Sequence, residues 1–116
     1  MGSNIIVEKS YKFSIKAVKF CFEMQKQTKE FVISKQLLKS ATSIGANIQE
    51  AQGAISKAEF IAKTQIALKE ARETKYWISL IIDAEVFDSA SIYEMLTDCG
   101  ELIRILTSIL KTSKSG

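Results

Sequence analysis

No proline interrupts this 116-residue chain, and two of its five glycines, Gly2 and Gly116, stand at the ends. Proline and glycine are the residues that break helices. A chain with so few of them can run long helices joined by short turns. Its apolar residues recur at helical spacing, and no useful stretch alternates with the period of a strand. The expectation is an all-α fold, an up-down-up-down antiparallel four-helix bundle, forming a single domain over 1–116. The helices are expected at about 10–27, 34–52, 56–86 and 91–112.

The first helix places Lys9, Lys12, Lys16, Lys19, Glu23 and Lys26 on one narrow polar strip. The rest of its surface carries two apolar seams, Phe13/Ala17/Phe20/Met24 and Tyr11/Ile15/Val18/Phe22. One bundle core needs one seam, so the second predicts burial against a neighbouring subunit. The second helix is rich in small residues around Gly45, which predicts a close helix–helix approach, and Gly53 is its natural stop. A capping box, Ser56 with Glu59, opens the third helix. Its seam of Phe60, Thr64, Ala67, Ala71, Thr74 and Ile78 is mostly small and should pair with the second helix as a tight hairpin.

Gly45, Asn47, Glu50, Ser56 and Glu59 form the structural motif of that hairpin, with Glu50 expected to reach Ser56 or Lys57. A second stripe holds Ile66, Glu70, Glu73 and Trp77. Glu70, Glu73 and Trp77 are candidates, with Tyr11, Ile15, Val18 and Phe22, for an oligomer interface; the other reading of the stripe is surface pairing such as Lys69 with Glu73. A second box, Ser91 with Glu94, is expected to start the fourth helix, with Asp88 and Ser89 as alternative caps. The core seam of that helix is expected at Ile92, Leu96, Cys99, Ile103, Leu106 and Leu110.

The chain contains no histidine, the usual general base near neutral pH and the commonest metal ligand. Two cysteines, Cys21 and Cys99, are too few and too far apart for a zinc pattern. They read as buried thiols, with a disulfide between first and last helices as the alternative. No catalytic residue set, metal site or cofactor site is expected, and the chain is not read as an enzyme. The N-terminal residues lack the basic start and long apolar run of a secretion signal, and nothing approaches a membrane span. The expected location is the cytoplasm.

The net charge of +3 is unevenly spread: residues 1–39 carry eight lysines against Glu8, Glu23 and Glu30, whereas 83–101 carry six carboxylates and no cation. Such poles suit acidic partners or further copies of the chain. Lys9, Lys12, Lys16, Lys19 and Lys26 are the candidate nucleic-acid contacts, extended by Lys29, Lys35 and Lys39. The bland alternative is a solvated helix face.

The run Lys39-Ser40-Ala41-Thr42-Ser43-Ile44-Gly45-Ala46-Asn47-Ile48-Gln49-Glu50-Ala51 resembles the signature of a bacterial four-helix-bundle family. Ser56 to Ile61 and Ile66 to Trp77 continue the likeness. The family is that of proteins encoded in intervening sequences of 23S ribosomal RNA genes, and the accessory variability determinant of diversity-generating retroelements is similar. The resemblance implies a homo-oligomer, typically a pentamer, with basic surfaces and no enzymatic activity. It also implies RNA, or an enzyme acting on nucleic acid, as a partner. The alternative is an oligomeric protein-interaction scaffold that binds no nucleic acid.

Overall fold

The computed structural model describes residues 2–115, with side chains over 5–115. Four helices form, α1 (Gly2–Thr28), α2 (Val32–Gln52), α3 (Lys57–Asp83) and α4 (Ala90–Ser115), and no strand occurs among the described residues. Contacts between helices fix their directions. Gln25 Nε2 donates to Ser34 Oγ at 3.0 Å while Gly45 lies against Ser10 and Ser14, so α1 and α2 are antiparallel. Thr74 with Ser40 and Lys63 with Glu50 do the same for α3 and α2. Cys99 meets Ala71, and Leu106 lies opposite Thr64, which sets α4 antiparallel to α3. Lys9 with Glu101 and Lys16 with Glu94 close α4 onto α1. The product is a rod of 47 × 20 × 19 Å.

Each helix buries one stripe. In α1 it is Ile6, Ser10, Phe13, Ala17, Phe20, Cys21 and Met24. The helix starts two turns before residue 10 because Ile6 continues this stripe into the core, where it is 2% exposed. The α3 seam is buried as expected from Thr64 to Ile78, with Phe60 half-buried. In α4 the stripe runs through Met95 and Leu102, and the expected Leu96 and Ile103 are only half-buried beside it. Small residues let the middle of the rod close up: Ala41, Ala67 and Ala71 are fully buried, and Thr74 Oγ1 bonds Ser40 Oγ at 2.9 Å across α2 and α3. Gly45 faces α1, not the α2–α3 hairpin. A Cβ there would stand 3.1 Å from Ser14 Oγ and 3.4 Å from the Ser10 carbonyl oxygen.

The helix ends show where local chemistry differs from the simplest sequence signals. α2 begins at Val32, two residues before Ser34, because Glu30 caps it. The Glu30 carboxylate accepts from the N–H groups of Val32, Ile33 and Ser34 at 2.9–3.0 Å, satisfying three donors that have no partner within the helix. Lys29 makes the turn with φ 61°. Burial opposes ionisation of Glu30, but the three N–H donors outweigh it and hold the carboxyl below its ordinary 4.5. A depressed carboxyl adds stability that is present above the unfolded-state pKa and is lost as pH falls through the folded one. Glu30→Gln therefore costs about 0.5–1 kcal/mol near neutral pH. The gap to wild type should close as the pH is taken below 4.5, as read by urea melts across pH.

Ser56 caps α3 as expected, its hydroxyl accepting from Glu59 N at 3.1 Å, and Glu59 in turn accepts from Ile55 N. α3 stops at Asp83, before residue 86, where Glu85 turns the chain with φ 54°. The Ser91–Glu94 box does not form. α4 begins at Ala90, and Ser89 Oγ accepts from Ser91 N at 3.3 Å, so Ser89 is the cap. Glu94 instead turns to Lys16, 2.6 Å away. α4 also runs on to Ser115, past residue 112.

Candidate functional site

The two seams of α1 separate as expected. Phe13, Ala17, Phe20 and Met24 are buried, whereas Tyr11, Ile15 and Phe22 are 63%, 40% and 57% exposed and Val18 is half-buried. Helical rise spreads Tyr11 to Phe22 over about 16 Å. Along their α2 side runs an open groove of 270 Å³ lined by Ser10, Tyr11, Ser14, Thr42, Gly45, Ala46 and Gln49. Gly45 and Ala46 make the floor shallow and apolar.

The lysine strip is largely committed to carboxylates of this same chain. Lys9 pairs with Glu101 at 3.2 Å and Lys12 with Glu8 at 2.9 Å. Lys16 sits between Asp98 at 2.8 Å and Glu94 at 2.6 Å. Bonds to Asp98 and then Glu94 raise the Lys16 pKa, and Lys12 holds Glu8 below its ordinary value. Lys19 and Lys26 have no ion pair among the described residues. The acidic pole of α4 thus lies alongside the basic pole of α1 within one chain. Exposed pairs of this kind add little to stability, but they occupy the cations that a polyanion would need.

Other expected contacts are rearranged. Glu50 does tie the hairpin, through Lys63 at 2.7 Å, two turns beyond Ser56. Asn47 bonds back along its own helix to the Ser43 carbonyl at 2.8 Å and does not cross to α3. Glu73 accepts from Trp77 Nε1 at 3.1 Å, and it makes no ion pair with Lys69. Trp77 is half-buried, with Tyr76 edge-on to it at 5.0 Å. Glu70 is half-buried on the same stripe, and Ile66 is 40% exposed.

Cys21 and Cys99 are both free and buried, so the disulfide alternative does not hold. Burial pushes each thiol up to about 12, which keeps it protonated at neutral pH and a poor nucleophile. Among the described residues no group of cysteine and carboxylate side chains is arranged to hold a metal ion. No helix among them is long and apolar enough to cross a membrane.

Two features escaped the sequence reading. The Glu30 cap was hidden because glutamate is not a favoured cap residue; the threonine at 28, whose hydroxyl accepts from Glu30 N, was the available hint. The clasp between α1 and α4 was visible as matched spacing: Lys9 and Lys16 lie seven residues apart, as do Glu101 and Glu94.

Comparison with known proteins gives one family. The model of the 23S rRNA-intervening sequence protein matches residues 3–108. No curated protein matches the chain. A crystal structure of a protein of unknown function from the S23 ribosomal protein family of Bacteroides thetaiotaomicron is similar, at 44% identity and a TM-score of 0.91. The match covers 96% of this chain and 99% of that one. With four helices in place and nearly the whole length matched, the chain belongs to the 23S rRNA-intervening sequence protein family.

Proposed function

We propose that the protein is a cytoplasmic, non-catalytic subunit of a homo-oligomer, a pentamer by family resemblance, that offers basic surface to RNA. The observation that carries the assembly is the exposed Tyr11/Ile15/Phe22 stripe beside the Gly45 groove. A stripe of this length has large side chains for knobs and an adjacent groove for holes, so a second copy can supply both halves of the contact. The Glu70/Glu73/Trp77 stripe of α3 offers a second face to a neighbour. A non-catalytic role is supported by the lack of histidine and by thiols held protonated. Two buried free thiols also suit a reducing compartment.

The assembly is tested by light scattering on a sizing column. The wild type should run at a multiple of the 12.9 kDa chain mass at micromolar concentration. Ile15→Asp with Phe22→Asp should reduce it to a single chain with unchanged helical circular dichroism, since both side chains are exposed in the single chain. A wild-type monomer would refute the assembly. Full-size oligomers of the double variant would place the interface elsewhere.

A further inference from the structure

The ion pairs sort the cations of this chain into two kinds. On α4, Glu94, Asp98 and Glu101 all turn toward α1 and are matched by Lys16 and Lys9. Asp98 and Glu101 are the carboxylates between Thr97 and Lys111, and both are paired with α1, so the side of α4 against α3 carries none over that span. Arg104 lies here. Its guanidinium folds back over Gly100, where a Cβ would stand 3.5 Å from Nη1. Cys99, next to Gly100, bonds the carbonyl of Ala71, which puts Arg72 at the same level of the rod. Lys75 is one turn on, close enough for its charge to act on Cys99.

Arg72, Lys75 and Arg104 are all exposed, and none has an ion pair among the described residues. Lys69 and Lys111, also exposed and likewise unpaired, extend the row. In the antiparallel register set by Ala71 and Cys99, the row runs about 24 Å along the rod. At its Lys75 end stand two exposed tyrosines at the same level, Tyr76 on α3, 60% exposed, and Tyr93 on α4, 54% exposed. Tyr76 is braced edge-on by Trp77. A row of unneutralised cations with aromatic faces at one end is the pattern that holds a single-stranded nucleic acid, by phosphate contacts and base stacking.

We propose that the α3–α4 face, centred on Arg72, Lys75 and Arg104 with Tyr76 and Tyr93 at one end, is a binding surface for single-stranded RNA. The inference rests on the RNA reading above and moves the contact from the α1 strip to the opposite side of α4. Rim hydroxyls support RNA over DNA. Thr97 and Thr107 donate to helix carbonyls of Tyr93 and Ile103, which leaves their oxygens free to accept from a ribose 2′-hydroxyl.

The test is fluorescence anisotropy of the full chain with a labelled uridine 12-mer over a salt series. Arg72→Glu with Arg104→Glu should weaken binding at least tenfold at low salt. Arg72→Gln with Arg104→Gln, which keeps the bulk if the reversal misfolds, should weaken it less and lower the salt slope by about 1.4. Lys19→Glu with Lys26→Glu should change affinity less than twofold. Tyr76→Ser should weaken binding severalfold without altering the slope. If the wild type binds no RNA at low salt, the RNA reading itself falls. Should the wild type bind and only the α1 variant lose affinity, the RNA reading stands and this surface is wrong. Equal affinity for the deoxy 12-mer, or preference for duplex RNA, overturns the assignment to single-stranded RNA.

Discussion

Replacing Phe13 with alanine lowers the unfolding free energy by about 3–5 kcal/mol. Phe13 is the largest of the fully buried side chains, 2% exposed, in the one core shared by all four helices. Truncation removes a ring from water-free contact on every side, and a rod only 20 Å across has few ways to collapse around the void. A domain of this size holds about 5–15 kcal/mol in total, so the variant keeps a fraction of its stability. Urea unfolding should show a lower midpoint with an unchanged slope. Phe22→Ala is the matched control. The same chemistry at a position 57% exposed should cost under about 1 kcal/mol in dilute monomer. Under conditions where the protein assembles, Phe22→Ala should instead lose part of the concentration-dependent stability of the wild type, because association is linked to folding. A Phe13→Ala loss below about 1 kcal/mol would mean that the seams of α1 are assigned the wrong way round.

That assignment shows what the sequence could convey about the fold. The two seams of α1 are each regular at helical spacing, and nothing in their composition says which one faces inward. Ile6 and Ser10 decide it, because they extend the Phe13 stripe and not the Tyr11 stripe. Periodicity is strong over the middle of each helix, where burial enforces it, and weak at the ends, where one hydrogen-bonding side chain sets the boundary. Hence the seam of α3 was legible residue by residue, while the starts of α2 and α4 depended on Glu30 and Ser89. Gly45 was legible as a site of close approach but not as to the partner. A glycine reports that backbone is near, and the choice between α1 and α3 is made by the rotation of α2.

Charge was the least legible feature of the candidate sites. Counted along the chain, the lysines of 1–39 form the basic pole and the most obvious seat for a polyanion. Folding brings α4 antiparallel to α1 and matches Lys9 and Lys16 to Glu101 and Glu94, so the N-terminal part of the densest cluster in sequence is neutralised in space, while Lys19, Lys26, Lys29, Lys35 and Lys39 have no ion pair among the described residues. The sparser cations Arg72, Lys75 and Arg104 stay unpaired because the carboxylates of α4 turn the other way. Long-range pairing is a property of topology, and one-dimensional charge density carries it only where equal spacing recurs on helices that end up adjacent.

Ala71→Leu should cost about 2–3 kcal/mol, the upper part of the range for overpacking. Ala71 is fully buried in the small seam of α3, and three added carbons need room that neither neighbour can yield cheaply. On one side, Cys99 Sγ donates to the Ala71 carbonyl at 3.2 Å, so α4 cannot move off without losing that bond. On the other, one turn along, Thr74 Oγ1 holds Ser40 Oγ at 2.9 Å, and forcing α2 away would break that buried bond between the two helices. Ala62→Leu makes the same change on the same helix at an exposed position and should shift stability by less than about 0.5 kcal/mol. The difference between the two, read as urea midpoints at one protein concentration, isolates packing from helix propensity, since leucine and alanine are both good helix formers. A midpoint for Ala71→Leu equal to that of Ala62→Leu would show that the α2–α3 and α3–α4 contacts have slack. The small residues of the α3 seam would then not be what sets the approach of the helices.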